Sequence, residues 1–305
     1  MERLLITGAS GFVGTHLSRY FLSKGVHVTG LGTSSTHPFT KTFDNFEWIS
    51  ADTTKQGDWQ KQVPLADAVV NLAGQSIFKR WTDKYKQAIY DSRVHTTRNL
   101  VAAMTENRPV TFLSTSAVGI YGDAKEKPLT EDAPPGSDFL ARVCIEWEAQ
   151  ARKAESAGAT VHIMRFGVVL GDGGALSVMS PAFKWFAGGP LGGGRHWFPW
   201  IHIQDLVRAA EFLMENAAVS GIYNLVGPEP VRQRDFAKAL GRALHRPAVV
   251  PAPKFMVKLV MGELGASLLN SQKAYPKGLE DLGFSFEHKS VEAALKAIFG
   301  APADK

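Results

Sequence analysis

The sequence predicts an α/β protein built on a doubly wound parallel sheet, with a smaller, sequence-discontinuous C-terminal lobe. Three observations carry this. Short β-branched runs alternate with amphipathic helical segments over the first two-thirds of the chain. A glycine-rich turn joins the first run to the first helix. From about Gly171 the alternation gives way to Gly- and Pro-rich loops. At 305 residues, 45% of them hydrophobic, the chain can bury the core that such a sheet needs.

In chain order, RLLIT (3–7), HVTGL (27–31), FEWIS (46–50), AVVNL (68–72), VTFLS (110–114) and TVHIM (160–164) are the strand candidates. Amphipathic segments Phe12–Lys24 and Tyr85–Asn107 lie between them, so the strands run parallel with helices on both faces. The stretch SDFLARVCIEWE (137–148) predicts a further helix under a Ser or Asp cap. It puts Phe139, Leu140, Val143, Cys144 and Trp147 on one face, with Arg142, Glu146 and Glu148 largely off it. The loop AGGPLGGGRHWFPW (187–200), shorter helices and isolated strands such as GIYNLVG (221–227) make up the rest. The expected division is a nucleotide-binding domain over 1–170 with returning segments at about 200–227. The smaller substrate lobe or lid takes 171–199 and 228–305.

Composition narrows the function. The net charge of +5 is spread along the chain rather than bunched, so a solvated surface is expected and a nucleic-acid face is not. The single cysteine excludes an internal disulfide and a cysteine-based metal site, and the nine histidines show no metal-ligand spacing, so no metal is expected. The N-terminal MERLLITGASGFVG enters a strand directly and does not read as a signal peptide. The apolar segment 255–269 is interrupted by Lys258, Glu263 and two glycines. A cytoplasmic protein without membrane contact is expected.

TGASGFVG places Gly8, Gly11 and Gly14 three residues apart, immediately after a strand and at the head of a helix. A dinucleotide pyrophosphate has to approach backbone N–H groups and the positive helix end closely. Side chains at Gly8 or Gly11 would obstruct it, and Gly14 lets helix and strand pack. Ser10, Phe12 and Val13 belong to the same cradle. At the end of the fourth strand Asn71, Leu72, Ala73 and Gly74 are small enough at the turn for backbone to lie along the ribose.

These glycines, together with NLAG (71–74), STSAVGIYG (114–122), PWIHIQDL (199–206) and GIYNLVGPEPV (221–231), resemble the extended short-chain dehydrogenase/reductases of the epimerase and dehydratase branch. SDFLARVCIEWE, RFGVVLGDGGAL and GGPLGGGRHWFPWIHIQDL resemble an atypical epimerase-like subgroup, some of whose members carry a cell-division-inhibitor label. The resemblance implies a Rossmann-type fold with an intact nucleotide site and without the usual active-site residues. It also implies that Asp52 receives the adenine amino group and that Ser114 and Thr115 border the cofactor.

The second strand of an NAD-binding fold ends in an acid that holds the ribose hydroxyls. Here GLGTSST stands in that place, and no carboxylate occurs between Gly14 and Asp44. NADPH is therefore expected to bind in preference to NADH, with Thr33, Ser34 and Ser35 offering donors to the 2′-phosphate. The Arg found in related NADP sites is replaced by a hydroxyl residue.

The family places a Ser or Thr at the end of the fifth strand and a Tyr-x-x-x-Lys pair on the next helix, where the Lys lowers the phenol pKa for proton exchange with a substrate hydroxyl. Ser116 matches the first, with Thr115 as the other choice. Leu140 and Cys144 stand at the pair's positions; a shift of one gives Phe139 and Val143, and no register restores it. Cys144 then reads as a small core residue. Tyr121 is the phenol nearest the expected site. Arg93 reads either as a substrate-anion contact or as a helix-surface ion pair. Arg165 and His202 lie where strands re-enter the cleft, Arg195 with His196 and Trp197 on a loop suited to a lid, and Asp205 as the cap of a helix starting at Leu206. The resulting expectation is an NADP(H)-dependent oxidoreductase or epimerase acting on a small polar or sugar-like substrate. The alternative is an inactive NADP(H)-binding regulatory protein that engages a protein partner. Oligomeric state and substrate are left open.

Overall fold

A computed structural model describes residues 1–106, 110–215 and 220–300. Its centre is a seven-stranded sheet of β1 (Arg3–Thr7), β2 (His27–Gly32), β3 (Phe46–Ser50), β4 (Ala68–Asn71), β5 (Thr111–Ala117), β6 (Thr160–Phe166) and β7 (Gly221–Leu225). All neighbours are parallel, in the order β3-β2-β1-β4-β5-β6-β7. The order reverses between β1 and β4. That switch point opens a crevice at the carboxyl ends of the strands, where ligands of such sheets bind.

Side chains alternate across the sheet with period two, so each strand feeds two cores. Leu4 and Ile6 pack with α1 (Phe12–Ser23) and with the helix Ile203–Glu215, through Leu17, Phe21, Leu206 and Leu213. Leu5 between them faces the other way. It packs with Val69, Phe112 and Val161, and beyond them lie Leu100 of α2 (Asp83–Val101) and Ala151 of α3 (Phe139–Arg152). Helix α2 starts under Thr82, whose hydroxyl accepts from the Tyr85 amide at 3.2 Å, and Asp138 caps α3 through the Ala141 amide at 2.9 Å. The expected end of α2 at Asn107 lies outside the described residues.

A separate cluster covers the crevice. Leu176 and Phe183 of α4 (Gly174–Lys184), Phe198, Trp200, Phe236 and Leu240 of the helix Gln233–Ala243, and Leu295 near the C-terminus pack on one another. Residues 301–305, the end of the expected lobe, lie outside the described residues. Asp205 differs from expectation. The helix begins at Ile203, before it, and the buried carboxylate accepts from the Glu287 and His288 amides at 2.8 and 2.9 Å. It pins a distant loop instead of capping a helix, because three residues of helix already precede the expected start at Leu206. No helix among the described residues is long and apolar enough to cross a membrane.

Candidate functional site

The first turn after β1 is built for close approach. Gly8 has φ +67°, and a Cβ there would sit 2.8 Å from the carbonyl oxygen of Leu72, where β4 leaves the sheet. A side chain at Gly14 would run into Gly8 and lie 2.7 Å from the Cα of Ala9. Gly11 is different: a Cβ would meet only the Gly8 oxygen, at 3.1 Å, and its φ of −75° suits any residue. Gly11 is also the N-cap of α1, with no side-chain cap and no acid in the first turn. The free N–H groups of the first turn and the helix dipole thus meet open space that a side chain on Gly11 would fill. This cradle fits a dinucleotide pyrophosphate.

At the end of β2, Thr33, Ser34 and Ser35 are exposed. The Trp48 indole donates to the Ser34 carbonyl at 3.0 Å and holds the loop in place. Hydroxyls and amides face outward with no acid among them, an arrangement that fits a phosphate. Asp52 follows β3. Its Oδ1 accepts from the Thr54 hydroxyl at 2.6 Å and the Thr54 amide at 3.1 Å, and these bonds hold its pKa below the usual carboxylate range. The carboxylate shapes its own turn and keeps one oxygen turned to Lys55 at 3.5 Å.

The side chain of Asn71 is committed inside the protein. Its Oδ1 accepts from Thr7 at 2.7 Å, and its Nδ2 donates to Thr97 at 2.7 Å, which also receives the Trp147 indole at 2.8 Å. This ties β1, β4, α2 and α3 together and leaves Leu72, Ala73 and Gly74 to present backbone at the crevice. In β5 the hydroxyls of Ser114 and Thr115 are buried with no hydrogen-bond partner among the described residues.

Beyond β5 the expected catalytic residues turn toward one another. The Ser116 hydroxyl donates to Glu148 at 2.6 Å, and Glu148 takes both Nε and Nη2 of Arg165 at 2.8 Å. Arg165 Nη1 donates to the Tyr121 oxygen at 2.9 Å, and that phenol donates onward to Asn224 at 2.8 Å. All five side chains are buried. Burial pushes the phenol pKa up, the direction opposite to the one proton exchange at neutral pH requires. Cys144 lies beside Ser116, its thiol pushed up to about 11 by burial first and the Glu148 charge second. Glu148, one turn after Cys144 on α3, takes Ser116 and Arg165 directly and Tyr121 through Arg165.

Arg93 stands apart from this network. Its Nη1 donates to the carbonyls of Gln75 and Ile89 at 3.0 and 3.1 Å, its guanidinium lies 5.4 Å over the Trp147 ring, and Gly74 rests against it. No carboxylate pairs with it among the described residues, so the helix-surface ion pair is not what forms. Burial lowers its pKa. Arg195 is exposed on its loop. His202 is buried and stacked on His288 with ring centroids 3.7 Å apart, and burial lowers its pKa to about 4. Asp205, Glu287 and His288 come within 4.8 Å of one another, but Asp205 is already spent on backbone amides.

Between the sheet and the covering cluster lies a cavity of about 330 Å³. Phe12 and Val13 reach it from α1, Ala117 and Val118 from the end of β5, Leu140 from α3, Phe166 from β6, and Trp197, Phe198 and Leu268 from the far side. Leu140 therefore presents a hydrocarbon side chain to this cavity. His196 also lines this cavity and is buried, with Nε2 unpartnered among the described residues. The sequence gives His196 no role beyond a loop wall, because its burial depends on segments 233 and 270–272, which no local pattern connects to it.

Comparisons with known proteins follow the same outline. The family described as NAD dependent epimerase/dehydratase matches residues 4–226, and one described as a domain of unknown function, DUF1731, matches residues 252–298. The chain is 36% identical over 298 residues to the epimerase family protein YfhF of Bacillus subtilis (strain 168), covering 97% of each. It is 39% identical over 298 residues to the chloroplastic epimerase family protein SDR39U1 homolog of Arabidopsis thaliana, covering 96% of this chain and 85% of the relative. Among solved structures it is similar to human epimerase family protein SDR39U1 (isoform 2) with NADPH, at a TM-score of 0.85 and 30% identity, covering 98% of this chain and 99% of the other.

Proposed function

The chain belongs to the NAD dependent epimerase/dehydratase family, and on that premise we propose that it binds NADP(H) and acts as an oxidoreductase or epimerase on a small substrate held between β5, β6 and the covering cluster. The observation that carries the reading is the cradle around Gly11, open above an uncapped helix end and followed by a β2 loop without a carboxylate. A similar human protein whose solved structure contains NADPH supports the choice of the phosphorylated dinucleotide.

In this reading the amides of Phe12 and Val13 hold the pyrophosphate over the Gly11 turn, whose own N–H donates to the Gly8 carbonyl at 2.9 Å, Thr33, Ser34 and Ser35 hold the 2′-phosphate, and Asp52 the adenine. Leu72, Ala73, Gly74 and the orphan hydroxyls of Ser114 and Thr115 border the ribose and nicotinamide. The bound dinucleotide supplies a hydride donor or acceptor. The protein's own contribution is to exclude water with Phe12, Leu140 and Phe166 and to keep Arg93 as an unpaired cation behind Gly74. The expected sugar-like substrate finds few free polar partners in this wall.

The test is a pair of titrations at one ionic strength. NADPH should bind about 30-fold or more tightly than NADH, since charge-assisted bonds to the extra phosphate contribute on the order of 2–4 kcal/mol. Thr33→Asp should reverse the order. Equal dissociation constants would reject the proposal. A second reading, a binding protein without turnover, is favoured by the mutual satisfaction of Ser116, Glu148, Arg165 and Tyr121; it predicts tight NADPH binding with no hydride transfer to any carbonyl compound.

A further inference from the structure

The cavity wall is unusual in what it lacks. Among its described lining residues there is no Lys, Arg, Asp or Glu, and His196 is the one ionisable group. A nucleoside diphosphate substrate would bring two negative charges against a wall whose lining residues include no cation, and Arg232, which lies beside that wall, is already paired with Glu126. Most polar side chains of the wall already donate elsewhere: the Asn270 amide to Asp138 at 2.8 Å, the Gln272 amide to the Gly122 carbonyl at 3.1 Å, and the Trp197 indole to Glu126 at 3.0 Å.

The far wall is flat and held rigidly. Trp197 is packed against Arg232, 3.8 Å from its ring centroid, and Lys273, 4.7 Å away, and Arg232 is itself paired with Glu126 at 2.8 Å. Phe198 stacks on Phe236 with centroids 4.3 Å apart. Preorganised aromatic faces of this kind select planar apolar ligands.

His196 supplies the exception to this apolar surface. Its backbone is fixed, the carbonyl accepting from the Gln233 amide at 2.9 Å, so the imidazole keeps its place. Buried polar atoms in folded proteins almost always have a partner, and Nε2 has none among the described residues. His162 shows the contrasting case: both its nitrogens are unpartnered, but it sits inside β6 and lines no cavity described here. His196, by contrast, lines the cavity.

We infer that the cavity takes an uncharged, flat and largely apolar carbonyl compound, or the corresponding alcohol, whose oxygen hydrogen-bonds to His196. The carbonyl in this inference rests on the NADP(H)-dependent reading above; the apolar, uncharged character rests on the wall alone. His196 is a substrate-contacting group. As a neutral imidazole it can donate to a carbonyl oxygen or accept from an alcohol.

The experiment uses 2-tetralone, an uncharged bicyclic ketone, and UDP-glucose as probes, each titrated calorimetrically into the full chain with and without saturating NADPH. Saturable binding of one 2-tetralone per chain and none of UDP-glucose is expected. His196→Leu should weaken 2-tetralone binding about tenfold, the size of one hydrogen bond, and His196→Gln should restore most of it. Leu268→Trp should fill the cavity and abolish binding while the protein still unfolds cooperatively. Binding of UDP-glucose, absence of saturable 2-tetralone binding, or equal affinity in His196→Leu would each overturn the inference. Failure of NADPH to bind, with 2-tetralone still bound, would remove the cofactor proposal and leave the cavity assignment standing.

Discussion

Two regions at the carboxyl edge of one sheet treat their polar groups in opposite ways. Around β1 and β2 the amides of the α1 turn and the hydroxyls of Thr33, Ser34 and Ser35 are turned outward, and no internal side chain caps the helix. Around β5 and β6 the polar groups are at least as many, yet Ser116, Glu148, Arg165, Tyr121 and Asn224 close on one another in a buried chain. The difference teaches that polarity at a strand end does not identify a reactive site. A group available for chemistry has a direction left over, and at the second region those directions have been used for cohesion. What remains available there is the apolar cavity and one imidazole.

Acid should separate the regions most strongly. His162, His196 and His202 are each lowered to about 4 by burial, against an ordinary 6.5, and all three lie on the β6 side or on the segments that cover it. The folded pKa lies below the unfolded one, so the unfolded chain takes up protons first. The associated stability is complete above about pH 6.5 and is lost as pH falls toward and through about 4, by about 3 kcal/mol at each site. Amide exchange measured from pH 7 to 4.5 should show protection falling first in β6 and the segment 196–204. Uniform loss across β1, β2 and β6 would contradict the comparison.

Next in size is the ion pair. Arg165→Leu leaves the Glu148 carboxylate buried without its partner and should cost about 3–5 kcal/mol in urea unfolding, whereas the double change Glu148→Leu with Arg165→Met should recover most of that loss. NADPH affinity should be unchanged in the double variant. A double variant as unstable as Arg165→Leu would mean that the pair is needed for more than its own neutralisation.

At the nucleotide end the contrast is between two glycines. Gly11→Val should fold with a wild-type far-UV spectrum and lose NADPH affinity by about 100-fold, because the side chain enters the open cradle. Gly8→Val should not fold to the same state, since its φ of +67° and the Leu72 carbonyl both forbid the side chain. Wild-type affinity in a folded Gly11→Val protein would make the turn only a turn.

The smallest effects concern single side chains of the closed region. Ser116→Ala removes one hydrogen bond to Glu148 and should cost about 1–2 kcal/mol, and Cys144→Ala should cost about 1 kcal/mol through a small cavity. Neither should alter NADPH binding by more than about twofold. A large loss of turnover in Ser116→Ala without loss of stability would return that hydroxyl to the reacting site.

How much of this was legible in the sequence follows from the range of the interactions involved. The strands, the helix caps at Asp138 and the turn through Gly8, Gly11 and Gly14 depend on neighbours within a few residues, and the alternation of apolar runs announces them. Leu140 and Cys144 could be read as replacements because a helix fixes their spacing. The capture of Ser116 and Arg165 could not. It requires β6 to lie beside β5 and α3 to turn Glu148 toward both, a condition set by packing. The helical pattern sets Glu148 largely off the inward face because it is charged, yet it lies a single turn after Cys144 and its carboxylate is buried against Ser116 and Arg165. Asp205 misled because an acid near a helix start usually caps, and its true partners are amides 82 and 83 residues away. His196 is hidden for the same reason.

The order of the strands along the chain also has a consequence in time. Most of the proposed nucleotide cradle, from Gly8 through the β2 loop to Gly74, lies within the first quarter of the sequence, joined by short connections. The cavity is finished only when Gln272 reaches Gly122, 150 residues back, and Arg232 reaches Glu126 across 106. During synthesis the parts that grip a nucleotide leave the ribosome long before the wall that defines a substrate, and late, distant contacts are the slow ones to form. Synthesis thus runs from the proposed nucleotide cradle to the cavity, the same order in which the polar groups pass from open to closed.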